Sequence, residues 1–158
     1  MYLWNCFRLA RLVESANYSQ PTMQTSLSPS DPVTFLNSPE YEALGLPFSE
    51  MVRVGDMLYL SGQMGNLSGT LTLAAGGIQA EARQALLNIQ TSLEAHGYSM
   101  AHIVKCTVML ADMADWAAFN AVYTTFFERP YPARSCFAAR GIAMDGRLEL
   151  DVVAVTRR

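Results

Sequence analysis

Residues 78–110, IQAEARQALLNIQTSLEAHGYSMAHIVKCTVML, carry two different hydrophobic periods in succession. In the first part Ile78, Ala82, Ala85, Leu86, Ile89 and Leu93 recur on one helical stripe. Glu81, Arg83, Gln84, Gln90 and Glu94 fall elsewhere. The pattern predicts an amphipathic helix over 78–96, with Gly97 as its stop because glycine accepts the left-handed turn that ends many helices. Ile103–Leu110 is too apolar and β-branched for anything but a buried strand, with Lys105 as its one charge.

Elements can be placed outward from this pair. Downstream, Asp112 or Asp115 is expected to cap a second helix on which Trp116, Phe119, Tyr123 and Phe126 share a face, ended by Pro130 and Pro132. Ala133–Ala139 and Arg147–Val155 read as the last two strands, joined by a polar turn around Asp145-Gly146. Upstream, Ser38-Pro39 is an N-cap followed by proline at the first helical position, with Gly45 ending the turn. Met51–Val54, Gly55-Asp56 and Met57–Ser61 form a tight hairpin, and a short strand is expected near 70–73. The order is hairpin, helix, strand, helix, strand, strand. That is an α+β pattern, with two main helices on one face of a mixed sheet. The uncovered apolar face then needs a partner, and another subunit would supply it.

Residues 1–31 are read as a poorly ordered or targeting-like tail, and 32–158 as the domain. Met1–Val13 is interrupted by Asn5, Arg8 and Arg11, so it lacks the unbroken apolar core of roughly 7–15 residues that a secretory signal needs. It also lacks the roughly 20 apolar residues of a membrane span. A weak amphipathic leader, or an upstream extension with Met23 as the start, remains. Ser15–Ser30 is rich in Ser, Thr, Gln and Pro, which disfavours packing. A cytoplasmic location is expected, with the tail leaving organelle or export targeting open.

With 51% hydrophobic and 16% charged residues, the chain has little polar surface to keep a monomer wet, which again points to an oligomer. A net charge of −3, with no basic run beyond Arg157-Arg158, argues against nucleic acid as a partner. Cys6, Cys106 and Cys136 form no CxxC pair, so neither a structural zinc site nor a disulfide framework is expected. No Walker A or GxGxxG motif is present, and no cofactor is expected.

Chemistry concentrates in Pro132-Ala133-Arg134-Ser135-Cys136 and Leu148-Glu149-Leu150-Asp151. Strand alternation puts Arg134 and Cys136 on one side of their strand, and Glu149 and Asp151 on one side of theirs. If these strands are neighbours, an arginine fork and a carboxylate converge. The fork donates two parallel hydrogen bonds to a planar carboxylate, which lysine cannot do. The same spacing describes a plain surface ion pair, which spacing alone favours. Cys136 reads as a small buried residue and not a nucleophile, since no His or Lys nearby in sequence would stabilise a thiolate. Cys106 reads as core, His96 as a helix-end residue and His102 as the residue preceding a strand.

The segments Phe48-Ser49-Glu50, Leu60-Ser61-Gly62-Gln63, Glu81-Ala82-Arg83-Gln84-Ala85-Leu86, Val104-Lys105, Phe119-Asn120-Ala121-Val122-Tyr123, Phe126-Phe127 and Pro132–Cys136 occur in unbroken order. Together they resemble the RidA (YjgF/YER057c/UK114) family of reactive-intermediate deaminases. The resemblance implies a chorismate-mutase-like α+β fold, a homotrimer, and sites in clefts between subunits. It implies cofactor-free and metal-free hydrolysis of 2-imino acids and their enamine tautomers, such as 2-aminoacrylate, to 2-keto acids and ammonia. Arg134 then matches the residue that grips the substrate carboxylate, and Glu149 the one that positions or activates water. Phe48, Ser61, Gly62, Asn120 and Cys136 match positions lining the pocket. Many family members have tyrosine in place of Phe48, so one hydroxyl is missing here. Two other readings stand beside this one. The first is a non-catalytic trimer that senses keto acids or amino acids through Arg134. The second is the endoribonuclease or translation-inhibitor activity ascribed to some relatives.

Overall fold

The computed structural model describes residues 32–157, so the tail expected over 1–31 lies outside the described residues. Six strands form one sheet in the order β1-β2-β3-β6-β4-β5. They are β1 (Val33–Leu36), β2 (Met51–Val54), β3 (Met57–Gln63), β4 (Ile103–Leu110), β5 (Ala133–Ala138) and β6 (Leu148–Val155). Every neighbouring pair is antiparallel except β4 and β5, which run parallel. A parallel pair needs a crossover, and the segment carrying α3 (Trp116–Tyr123) provides it.

The long helix α2 (Ile78–Ala95) forms where the period predicts it. Ala82, Ala85, Leu86, Ile89 and Leu93 of its stripe are fully buried. Each of the three larger side chains contributes about 1.5–3 kcal/mol by leaving water. Leu86→Ala alone would cost about 2–5 kcal/mol, because the packed layers cannot close the cavity. Gly97 ends the helix at φ +82°. One member of the expected polar face is misplaced: Glu81 is buried, because its carboxylate accepts the Arg147 backbone N–H at 2.8 Å. Arg147 in turn donates its side-chain Nε to Asp115 at 2.8 Å. Asp115 therefore anchors Arg147 instead of capping a helix. Asp112 does the capping, accepting from the Ala114 N–H at 2.9 Å.

Strand alternation sorts the sheet faces. Cys106, Val108 and Leu110 of β4, with Leu148, Leu150 and Val152 of β6, are buried against α2 and α3. Lys105, Thr107 and Met109, with Glu149 and Asp151, point to the opposite face and are only partly covered. That open face also carries Phe35, Tyr59 and Phe137, which are 68%, 47% and 46% exposed. It is the apolar, uncovered face expected from two helices lying on one side.

Four details differ from the sequence expectation. The short strand near 70–73 is only an isolated bridge between Asn66 and Leu73. Trp116 is 45% exposed and not core, and α3 ends at Tyr123, before Phe126. An unforeseen edge strand, β1, pairs with β2. The last two strands are not neighbours either, because β4 lies between them.

Ahead of β2, the lead-in is held by buried polar contacts. Ser38 caps the short helix α1 (Pro39–Glu42), accepting from the Tyr41 N–H at 3.3 Å. The buried Glu50 carboxylate accepts the Ser38 N–H at 2.6 Å and lies 3.4 Å from His96 Nε2. Asn37 Oδ1 accepts the Glu50 N–H at 2.8 Å. These bonds tie α1 both to the start of the sheet and to the end of α2.

Candidate functional site

Arg134 stands on β5 opposite Cys106, and Cys136 opposite Val108. Since Cys106 and Val108 face the helices, Arg134 and Cys136 do as well. The Arg134 guanidinium lies 4.6 Å from the Tyr123 ring centre and 5.7 Å from that of Phe119. The two rings sit at i and i+4 of α3, 5.6 Å apart, and form an aromatic bed under the cation. Sequence reading took both rings as core. They are core, and they also hold the arginine; the signal was the i, i+4 aromatic pair next to a strand-edge arginine.

The Arg134 side chain makes no hydrogen bond or ion pair with another described residue, and its guanidinium rests on the two rings. Asn120, also on α3, makes no side-chain hydrogen bond to another described residue. Tyr123 donates its hydroxyl to Cys106 Sγ at 3.5 Å, and burial pushes its phenol well above the ordinary range. Burial also raises the Cys136 thiol, against the opposing pull of Arg134. Cys136 is therefore protonated near neutral pH, as suits a pocket wall and not a nucleophile.

Glu149 stands on β6 opposite Met109, on the open face. It is partly buried, and its side chain, like that of Arg134, has no hydrogen-bonded or ion-paired partner among the described residues. Its carboxylate lies against Gly62, where β3 shifts register between Leu60 and Gln63. A Cβ built on Gly62 would overlap that carboxylate, which is why glycine stands at this position. Beside it, Ser61 donates its hydroxyl to the Ser49 carbonyl at 2.7 Å and its N–H to the Glu50 carbonyl at 3.1 Å. The Ser61 side chain thus fixes the bulge to the lead-in. Phe48, half exposed, meets Tyr41 edge-on with ring centres 6.3 Å apart.

The expected site residues therefore fall into two groups. Arg134 and Cys136 lie on β5 on the helix side and Asn120 on α3, while Ser61, Gly62 and Glu149 gather at the β3 bulge, with Phe48 on the lead-in just before β2. Within one chain, Arg134 and Glu149 lie on opposite faces of the sheet and do not converge, as adjacent strands would have allowed.

A stacked arginine and a separate carboxylate, on opposite faces of a helix-backed mixed sheet, are thus set in a small α+β protein. The family follows from comparison. Residues 40–156 match the model described as Endoribonuclease L-PSP, and the chain belongs to this RidA/YjgF family. The chain is 39% identical over 109 residues to the goat 2-iminobutanoate/2-iminopropanoate deaminase, covering 69% of this chain and 80% of the relative. It is 35% identical over 125 residues to fission yeast "Protein mmf1, mitochondrial", covering 77% of this chain and 75% of that one. The crystal structure of the YjgF gene product from E. coli matches with a TM-score of 0.66 at 36% identity, covering 71% of this chain and 89% of that one. E. coli TdcF with bound serine matches with a TM-score of 0.65 at 34% identity, covering 70% and 88% respectively. No helix among the described residues is long and apolar enough to cross a membrane.

Proposed function

We propose that this chain is a cofactor-free deaminase that hydrolyses 2-imino acids and their enamine tautomers to 2-keto acids and ammonia. The observation that carries the reading is the Arg134 guanidinium, laid across two rings with its donors unpaired among the described residues. Such a group is already oriented for a planar carboxylate and loses little freedom on binding one. The relatives named imine deaminases and the relative holding serine support a small carboxylate as ligand.

In this reading Arg134 fixes the substrate carboxylate, and Asn120 and Cys136 line the pocket as the family resemblance implies. Glu149, as a carboxylate, accepts a proton from water as the oxygen adds to the imine carbon. That proton passes to the imine nitrogen and completes a carbinolamine; Glu149 then takes the carbinolamine hydroxyl proton and delivers it to the departing nitrogen as the C=O forms and the C–N bond breaks, releasing ammonia and the keto acid. An imine is already electrophilic, so orientation with one acid–base group, typically worth ~10²–10⁴-fold, suffices.

Because Arg134 and Glu149 lie on opposite faces of their own sheet, the reading requires the carboxylate of one copy to meet the arginine of another. The exposed Phe35, Tyr59 and Phe137 give the open face the apolar character of a subunit interface. We take the assembly to be the homotrimer of the chorismate-mutase-like arrangement that the resemblance implies. Ribonuclease activity is not our reading, since a net charge of −3 gives little electrostatic hold on a phosphate backbone.

The test generates 2-aminoacrylate with a serine dehydratase and follows its decay with wild type, Arg134→Ala and Glu149→Gln. Wild-type acceleration lost in both variants is expected. Decay at the uncatalysed rate with wild type would contradict the enzyme and leave a keto- or amino-acid sensor.

A further inference from the structure

Tyr123 is tied to Arg134 in two ways. Its ring lies 4.6 Å from the Arg134 guanidinium, and its hydroxyl donates to Cys106 Sγ at 3.5 Å. Cys106 is the residue paired with Arg134 across β4 and β5. The ring therefore bridges the two members of one cross-strand pair and closes a triangle with them. It is also the middle of an aromatic column, with Phe119 at 5.6 Å and Phe127 at 4.6 Å, four residues to either side. Phe119, Tyr123, Phe127 and Cys106 are all buried.

A free arginine loses rotamer freedom when it grips a ligand, an ordering cost equivalent to about 2- to 12-fold in affinity. Arg134 is only partly covered and its side chain has no hydrogen-bonded partner among the described residues, so standing alone it would bear that cost in full. A guanidinium over an aromatic face is instead held by attraction to the ring. The ring does this without accepting a hydrogen bond that a ligand needs. Burial first, and then the Cys106 bond, push the Tyr123 phenol well above its ordinary range, and burial raises the Cys106 thiol. Both groups are neutral near pH 7, so the anchor of the ring does not change with pH there.

We propose that Tyr123 is a positioning residue for ligand capture: anchored on Cys106, its ring keeps Arg134 ordered before a carboxylate arrives. It thereby sets affinity and leaves the chemical step alone. The inference rests on the deaminase reading for its ligand and adds to it a binding role for the Tyr123–Cys106 pair.

The experiment titrates 2-oxobutanoate, a stable 2-keto acid, into wild type, Tyr123→Leu, Tyr123→Phe and Leu86→Ala. It reads Kd by calorimetry and the Arg134 Nε–H resonance by NMR. Tyr123→Leu removes the ring, so Kd should rise about fivefold and the resonance should lose the ring-current shift it has in wild type. Tyr123→Phe keeps the ring without its anchor, so Kd should rise about twofold with the shift retained. Leu86→Ala weakens the core on α2 without removing a ring beside the arginine, and both readings should match wild type. On 2-aminoacrylate, Tyr123→Leu should raise KM by about fivefold and leave kcat within about twofold of wild type. Wild-type Kd and resonance in Tyr123→Leu, or equal losses in Leu86→Ala, would overturn the positioning role and leave the deaminase standing. Ring-dependent binding in a wild type that does not hasten 2-aminoacrylate decay would support the positioning role and overturn the enzyme. No binding of 2-oxobutanoate by wild type would overturn both.

Discussion

The contact between Gly62 and Glu149 allows a substitution that should separate activity from stability. Gly62→Ala places a Cβ 2.8 Å from Glu149 Cδ and 3.0 Å from Cγ, with the carboxylate oxygen closer still. Cδ alone has to retreat by about 0.6 Å to reach ordinary contact at 3.4 Å. The displaced atoms are the free end of a flexible side chain without a partner, so the backbone need not yield. The loss of chain entropy in the unfolded state favours alanine by ~0.4–1 kcal/mol and offsets part of any strain. The net stability change should stay within about 1 kcal/mol, or ~2–4 °C in Tm for a domain of this size. The carboxylate that must hold water is nonetheless displaced, and a 1 Å misplacement can cost ~10²-fold in rate. Gly62→Ala should therefore lower kcat for 2-aminoacrylate by about 10²-fold, near the loss in Glu149→Gln, with Tm almost unchanged. Wild-type kcat in Gly62→Ala, alongside an inactive Glu149→Gln, would refute the reasoning.

Other expectations follow from the same geometry. Gly65→Ala puts its Cβ 2.5 Å from Glu81 Cα, where backbone cannot retreat, so it should cost about 1–3 kcal/mol, read as a fall in Tm. Arg134→Lys keeps the charge and loses the planar fork and its stacking, so KM should rise about tenfold in steady-state assays. Asp56 accepts from Thr156 Oγ1 at 2.8 Å and from Arg157, which hold its carboxyl below the ordinary value, the Thr156 bond most strongly. A depressed folded-state value contributes stability that is present above the unfolded pKa of ~3.9 and is lost as pH falls through the lower folded value. Asp56→Asn should flatten that acid limb in a Tm-against-pH series and leave the neutral region nearly parallel to wild type.

Much of the fold was legible because its signals are local. The α2 stripe, the Ser38-Pro39 cap, the Gly55-Asp56 hairpin and the Ile103–Leu110 strand each depend on residues within a few positions of one another. What sequence could not supply was long-range pairing. Nothing near β5 or β6 says that β4 will insert between them, and that insertion goes with Arg134 and Glu149 lying on opposite faces. Glu81 was assigned to solvent because its partner, the Arg147 N–H, lies 66 positions away. Phe126 was assigned to the second helix because the aromatic period continues past the real end of α3 at Tyr123. The candidate site residues were named one by one through the family resemblance, whereas their division into two separated groups was not legible.

Subunit complementation tests that division most directly. Arg134→Ala and Glu149→Gln chains, each inactive alone, are coexpressed in equal amounts and purified as mixed assemblies. If each site takes its arginine from one copy and its carboxylate from another, about a quarter of the sites regain both groups by random assortment in a closed ring. The mixture should then recover about a quarter of wild-type activity on 2-aminoacrylate. Activity no greater than that of the single variants, in assemblies shown to contain both chains, would contradict a site shared between copies.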